Sequence, residues 1–337
     1  MRPFLHPRLV NGPFDDPALY ITFIFENYSI LFDLGEIYSL SSRDILKISH
    51  IFVTHTHMDH FSGFDRMLRL FLGRNKTLSL YGPEGFIGNV RGKLSGYTWN
   101  LVERYENAFS LNITEILPDR LRCCRFSCQN RFESDDSVTE KPVFPVLVDT
   151  PGWTVSAVIL DHGIPCLAFS IQEKFHININ KDRLEALGLS VGSWIMDFKH
   201  ALYRGDDPSI HFKIIDSKNP DRHISYELGW LSREIASITA GQKITYITDV
   251  VFSPINIEKI VNLARGSDYL FIEAAFLEAH NHIAKEKFHL TAWQAGMLAA
   301  MADVRHFTTF HYSPRYIGQE GLLAEESIRA YHRESLI

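Results

Sequence analysis

Cysteine is scarce in this chain, with four among 337 residues. Three of them, Cys123, Cys124 and Cys128, crowd into one short segment without CxxC spacing and without a partner pair elsewhere. That pattern supports no disulfide framework, and a chain of this length buries enough apolar surface not to need one. The three read as free thiols in a strand of a reduced protein. Long apolar runs are missing too: nothing approaches the ~20 residues that cross a bilayer. The opening MRPFLHPRLVNGPFDDP has no apolar leader core. The expectation is a soluble, cytoplasmic protein with no membrane partner. Excess positive charge is also lacking, since 34 Lys and Arg face 40 Asp and Glu, a formal net charge of −6. Affinity for polyanions rests largely on Lys and Arg meeting phosphates, so the balance argues against indiscriminate nucleic-acid binding, although not against a local basic track. Glycine and proline occur in ordinary numbers, which removes disordered and collagen-like classes. No repeat is evident at solenoid periods.

Histidine, by contrast, is abundant at 16 residues, and its placement follows the pattern of elements. Apolar alternation predicts a hairpin with strands over 19–25 and 28–32, ending in the turn Asp33-Leu34-Gly35. A strand over 50–53 runs directly into His55-Thr56-His57-Met58-Asp59-His60. Helical spacing of Phe64, Met67, Leu68 and Phe71 follows, then a strand over 77–81 and a helix opening at Pro83-Glu84. The middle third is less regular, with Arg120, Arg122, Arg125 and Arg131 and then the acidic segment ESDDSVTEK. A strand over 153–160 delivers Asp161-His162-Gly163, and a second covers 166–172. Between 174 and 239 the pattern loosens into an excursion with short helices over 182–187 and 194–203. The last third returns to alternation: a strand over 244–248 ends at Asp249, and one over 269–272 ends at Glu273. A helix over 291–302 leads to a strand over 306–310 that ends at His311. The expectation is an α+β fold, one domain over 1–337 with two sheets between outer helices. Its chemistry lies at one edge, because strand ends are where such folds place their sites.

The segment from His55 to His60 carries the strongest chemical signal. In extended backbone, residues two apart point to the same side, so His55 and His57 can grip one ion together. Asp59 and His60, just past the strand, can turn toward a second. Imidazole and carboxylate suit zinc and manganese, and a site without thiolate keeps the metal Lewis-acidic. These six residues cannot fill two coordination spheres, which leaves His162, Asp249 and His311 as candidates from distant strand ends.

The motifs HTHMDH, LDHGIPC, YITDV, FIEAAF, HLTAWQAG and FHYSPRY resemble, in this order, those of ribonuclease Z, the tRNA 3′-processing endoribonuclease family. The resemblance runs from about residue 20 to 316. It implies a metallo-β-lactamase fold, an αββα sandwich with a short excursion after the HGIP segment. It implies two divalent metal ions, zinc or manganese: His55, His57 and His162 on one, Asp59, His60 and His311 on the other, and Asp249 between them. Asp59 would accept a proton, and His289 would protonate the leaving oxygen. The expected reaction is removal of 3′ trailers from precursor tRNA by attack of a hydroxide shared between the ions. Glu273 is expected to orient His289 by hydrogen bonding, and Arg315 to meet the substrate's charge. A homodimer is the expected assembly, as the commonest closed one.

The chain departs from the family in three places. The loop near the tRNA 3′ end reads NGPFDDPALYI, and Ile272-Glu273-Ala274-Ala275 stands where the family has HEAT. The excursion over 174–239 sits where the family's tRNA-gripping arm would be. Between Glu173 and Arg222 it holds eight Lys or Arg and eight Asp or Glu, so it is no basic clamp. A second reading therefore keeps the site but takes a small phosphodiester or other ester. A third, a non-catalytic metal-binding scaffold, is opposed by the presence of every expected ligand and of His289.

Overall fold

The computed structural model describes residues 4–24, 26–133, 138–142, 145–215 and 223–334. Phe25 of the expected first strand, positions 134–137 of the acidic segment and 216–222 of the excursion lie outside the described residues. The chain divides into two compact units.

The larger unit covers 6–147, 156–170 and 243–337. Its first sheet holds eight strands side by side in chain order, from Leu5–Leu9 to Thr139–Pro142. The hairpin Leu19–Phe23 and Ser29–Phe32 is antiparallel. Ser29–Phe32, Ile48–Phe52, Lys76–Pro83 and Phe109–Ile116 then run parallel. Parallel neighbours need crossovers, and helices supply them here. Ser42–Lys47 starts with Ser41 accepting from the Asp44 amide, the usual way to satisfy an orphan donor. Phe64–Phe71 buries the four residues whose spacing predicted it. Its apolar face joins Leu31, Ile51, Val53 and Leu80 in one core.

The second sheet places Lys243–Ile247, Tyr269–Glu273 and His306–Phe310 in parallel, with Pro254–Ala264 and Ala292–Met301 as crossover helices. Thr291 and Gln294 form a reciprocal capping box at the start of the second helix. These helices and Glu320–Glu334 share a second core with Ile247, Leu270 and Ile272. Aromatic rings from the two sheets meet between them: Phe32 stacks on Phe169 with centroids 5.6 Å apart and on Tyr246 at 5.8 Å. The arrangement is the expected αββα sandwich.

The smaller unit comprises 1–5, 148–155 and 171–242 and holds the excursion. Phe175–Ile179 pairs antiparallel with Ala236–Ala240, and His211–Ile215 with His223–Glu227. Helices Lys181–Ala186, Trp194–Arg204 and Leu228–Ile235 bury Leu184, Trp194, Phe198, Leu231 and Ile235 in a core of its own. Glu173 is fully buried there, accepting from His176 Nδ1 at 2.9 Å and from the Tyr203 hydroxyl at 3.2 Å.

Close helix packing in the larger unit depends on Gly296, since a Cβ there would run into the Ser327 carbonyl of the last helix. Gly296→Ala is expected to lower unfolding stability by about 1–3 kcal/mol, because a packed helix pair cannot absorb the clash without moving. Urea denaturation checks this, with Gly92→Ala as control, where a Cβ meets open space.

Candidate metal centre

His55 follows the strand Ile48–Phe52 and is fully buried, whereas His57 is exposed. His57 precedes a single helical turn, Met58–Phe61, which carries Asp59 and His60 back toward the same spot. His162 lies in the turn after Trp153–Asp161, Asp249 just beyond Lys243–Ile247, and His311 directly after His306–Phe310. Asp33, Asp249 and His311 have φ of 57°, 45° and 59°. Left-handed backbone is uncommon for residues other than glycine. At these strand ends it bends the chain sharply, where sheet and site meet.

Potential ligand atoms of His55, His57, His162 and Asp249 lie within 4.8 Å of one another, as do those of Asp59, His60 and His311. A third set joins Asp249, Glu273, His289 and His311. Asp249 is common ground. Its Oδ2 is 3.4 Å from His55 Nε2, 3.3 Å from His60 Nε2 and 3.6 Å from His162 Nε2, and its Oδ1 is 3.1 Å from His311 Nδ1. Yet His55 Nε2, His60 Nε2 and His311 Nδ1 are buried with no hydrogen-bond partner among the described residues. Buried polar atoms are rarely left unsatisfied. Lone pairs gathered round a carboxylate, without thiolate, are a donor set that fits divalent cations.

Hydrogen bonds on the far side of the rings fix which nitrogen faces the cluster. His60 Nδ1 donates to Asp33 Oδ2 at 2.9 Å, and His162 Nδ1 donates to the Phe288 carbonyl at 2.8 Å. Such partners set ring tautomer and orientation. Behind His55, its Nδ1 lies 3.1 Å from Thr54 Oγ1 and 3.7 Å from Cys166 Sγ. Asp33 is the functional residue that sequence reasoning missed. It is fully buried and also accepts from the Thr54 amide at 2.7 Å and the Tyr246 hydroxyl at 2.9 Å. The available signal was the habit shared by the other site residues, a carboxylate directly after an apolar strand.

Electrostatics divides the histidines. Burial, helped by the charge on His60, pushes His55 down to about 2, and Asp249 offsets little of that. Burial also works against charge on His60, but Asp249 and Asp33 outweigh it and raise the group well above the ordinary histidine value. His311 follows the same logic, with Asp249 and Asp59 overcoming burial to lift it to about 10. Burial would raise Asp249 and Asp59, but the facing histidines hold Asp249 well below the usual carboxylate range and Asp59 below it too. Without metal, the carboxylates of the site are thus neutralised by imidazolium.

A cavity of about 250 Å³ opens on the Asp59 and His311 side, lined also by His289, Phe14, Asp15, Asp16, Lys287 and Tyr312. His289 Nδ1 donates to Glu273 Oε2 at 2.8 Å, and Glu273 Oε1 accepts from the Val250 amide at 2.7 Å. Burial lowers His289, but Glu273 and then Asp249 carry it above the ordinary value. Arg315 is exposed and does not line this cavity; the cation that does is Lys287. The structure therefore brings together His55, His57, Asp59, His60, His162, Asp249, Glu273, His289 and His311, but not Arg315.

No family model matches the chain. It is 27% identical over 317 residues to the protein named Ribonuclease Z of Deinococcus radiodurans, covering 93% of this chain and 91% of that one. To Ribonuclease Z of Nanoarchaeum equitans it is 26% identical over 304 residues, 88% of this chain and 78% of that one. Among solved structures, the metallo-beta-lactamase fold protein YhfI from Bacillus subtilis aligns with a TM-score of 0.55 at 13% identity, over 97% of this chain and 93% of that one. The short form of human tRNase Z aligns at 0.53 and 18% identity, over 93% of each chain. The chain has the metallo-β-lactamase fold and resembles ribonuclease Z along most of its length. No helix among the described residues is long and apolar enough to cross a membrane.

Proton release on metal uptake is the direct consequence of the two raised histidines. At pH 7 His60 and His311 hold their protons in the metal-free protein and must lose them to serve as ligands. Calorimetric zinc titration in buffers of different ionisation heat is expected to show about two protons released per chain. Affinity should fall as pH drops, because protons compete with the ion for the imidazole nitrogens.

Proposed function

We propose that the chain is a dinuclear metal-dependent phosphodiesterase, an endoribonuclease that removes 3′ trailers from precursor tRNA. The observation that supports this reading is the meeting of two ligand-type sets at one buried carboxylate, Asp249, beside a cavity lined by Asp59 and His289. His55, His57 and His162 would hold one divalent ion, Asp59, His60 and His311 the other, and Asp249 would touch both. When bound, such ions supply Lewis acidity and neutralise charge on the phosphoryl oxygens.

The remaining work falls to side chains. Asp59 is partly open to the cavity, and its carboxylate stays ionised beside His311. It would accept the proton of the attacking water. His289 is partly open as well and, through Glu273, keeps its proton above the pH at which a free histidine loses it. That suits donation to the leaving oxygen. Lys287 can meet a phosphate entering the cavity. The excursion over 174–239 belongs to the same proposal as the remnant of a substrate-gripping arm, and a homodimer as its assembly. A second reading, a small phosphodiester as substrate, draws on Asp15 and Asp16 in the cavity wall and on the net charge of −6, both unfavourable to a polyanion.

End-labelled precursor tRNA with a 3′ trailer, assayed beside an aryl phosphodiester with Asp59→Ala as control, separates the two readings. Endonucleolytic release of the trailer is expected, abolished by Asp59→Ala and by chelation; cleavage of the aryl ester alone would establish the second reading instead. His289→Ala is expected to slow RNA cleavage by about 10²–10⁴-fold, as loss of a general acid does. The same change should affect a p-nitrophenyl ester far less, because that leaving group needs no proton. Glu273→Gln removes the charge that raises His289, so the alkaline limb of the kcat profile should move to lower pH.

A further inference from the structure

We propose that Phe288 is the platform on which the aromatic group flanking the scissile phosphate stacks, a nucleobase when the substrate is RNA; this rests on the phosphodiesterase reading above. Phe288 has φ of 60°, a conformation that bulky side chains avoid, yet the residue is 43% exposed. Core packing does not account for a ring that open. A loop needing this backbone alone would be met by glycine or asparagine.

Several contacts hold the strained position. The Phe288 amide donates to the Lys285 carbonyl at 3.3 Å and the next amide, of His289, donates to the Ala284 carbonyl at 2.8 Å. The Phe288 carbonyl accepts from His162 Nδ1. The ring is held as well. It lies edge-on to His162 with centroids 6.3 Å apart, and its carbons sit 3.3–3.4 Å from where a Cβ on Gly163 would be. Gly163 itself has φ of 73° and is pinned by its amide donating to Asp161 Oδ1 at 2.8 Å. One side of the ring is therefore backed by a glycine that cannot carry a side chain without strain, while the ring stays partly open to solvent. Strain maintained by so many contacts marks a position kept for function.

The location identifies the ligand. Phe288 touches His162, on the flank of the ligand cluster that does not line the cavity, whereas Lys287 and His289 on either side of it do line the cavity. A phosphodiester over the cluster has two substituents, one for the cavity and one for the Phe288 flank. A fixed aromatic face accepts any base, since every base has a π-face, and loses little freedom on binding. It would give affinity for the neighbouring nucleotide without sequence preference.

The test uses ribo-oligonucleotides identical except for an abasic site on either side of the scissile phosphate, with metal-loaded protein. Wild type is expected to show a KM about tenfold lower for the base-bearing substrate than for one of the two abasic ones, the scale of one base–aromatic stack. Phe288→Leu should shrink that ratio to about twofold through KM, and Phe288→Tyr should preserve it. Absence of base preference in wild type, or its persistence in Phe288→Leu, would overturn the proposal. So would a parallel fall of kcat and bound metal in both variants, the sign of a residue that merely positions His162. Affinity for a phosphonate-linked, uncleavable dinucleoside is measured alongside. If no phosphodiester is cut, the hydrolase reading fails, while equal affinity for base-bearing and abasic probes would sink the stacking platform separately.

Discussion

Asp33 is a carboxylate with no access to water, held by four donors that come from different parts of the larger unit. The Thr54 amide and hydroxyl reach it from the strand beside its own, the Tyr246 hydroxyl from the opposite sheet, and His60 from the ligand cluster. A buried charge is tolerated only when its lone pairs are met. Meeting these requires that the two sheets be in register and that His60 present its other nitrogen to Asp249. Sheet packing and site geometry are thereby one constraint.

The same economy runs through the other strand ends. Asp249, Glu273 and His311 are the last residues before the chain must turn away from the second sheet, and two of them accept left-handed backbone to do so. Each then faces a partner from the first sheet's segment or from a neighbouring loop. Burial raises the cost of every unpaired charge in this cluster, and pairing returns it, so the histidines split into a neutral member, His55, and charged ones, His60 and His311. The split follows from His55 facing Asp249 alone while His60 and His311 each face three carboxylates.

Much of this was legible from sequence because ligand-type residues directly after apolar runs are conspicuous. His55 to His60, His162, Asp249 and His311 all carry that mark, and Glu273, expected as a hydrogen-bond partner of His289, accepts from it. Asp33 carried it too, but an aspartate two residues before a glycine reads equally well as a turn former. Phe288 and Lys287 have no local signature; only folding reveals what they border. Among the strands, FSLNITEI alternates clearly enough to be legible, whereas Leu5–Leu9 is broken by Pro7 and sits at a sheet edge. The strands of the smaller unit were obscured for another reason. Phe175 lies opposite Ala240, and pairing at that separation leaves no trace in a short window.

The reach of the contacts around the ligand cluster has a temporal side. Asp33 meets Tyr246 across 213 positions, and Asp59 meets His311 across 252. Loop closure on that scale comes late in folding, after local helices and hairpins have formed. A chain still emerging from synthesis would present the histidine-rich segment long before its distant partners exist. The segment alone offers too few ligands, on unfixed backbone, to hold an ion firmly. The full ligand-type cluster is therefore assembled only once the second sheet has docked and the last strand is in place, so that its completion marks a finished molecule.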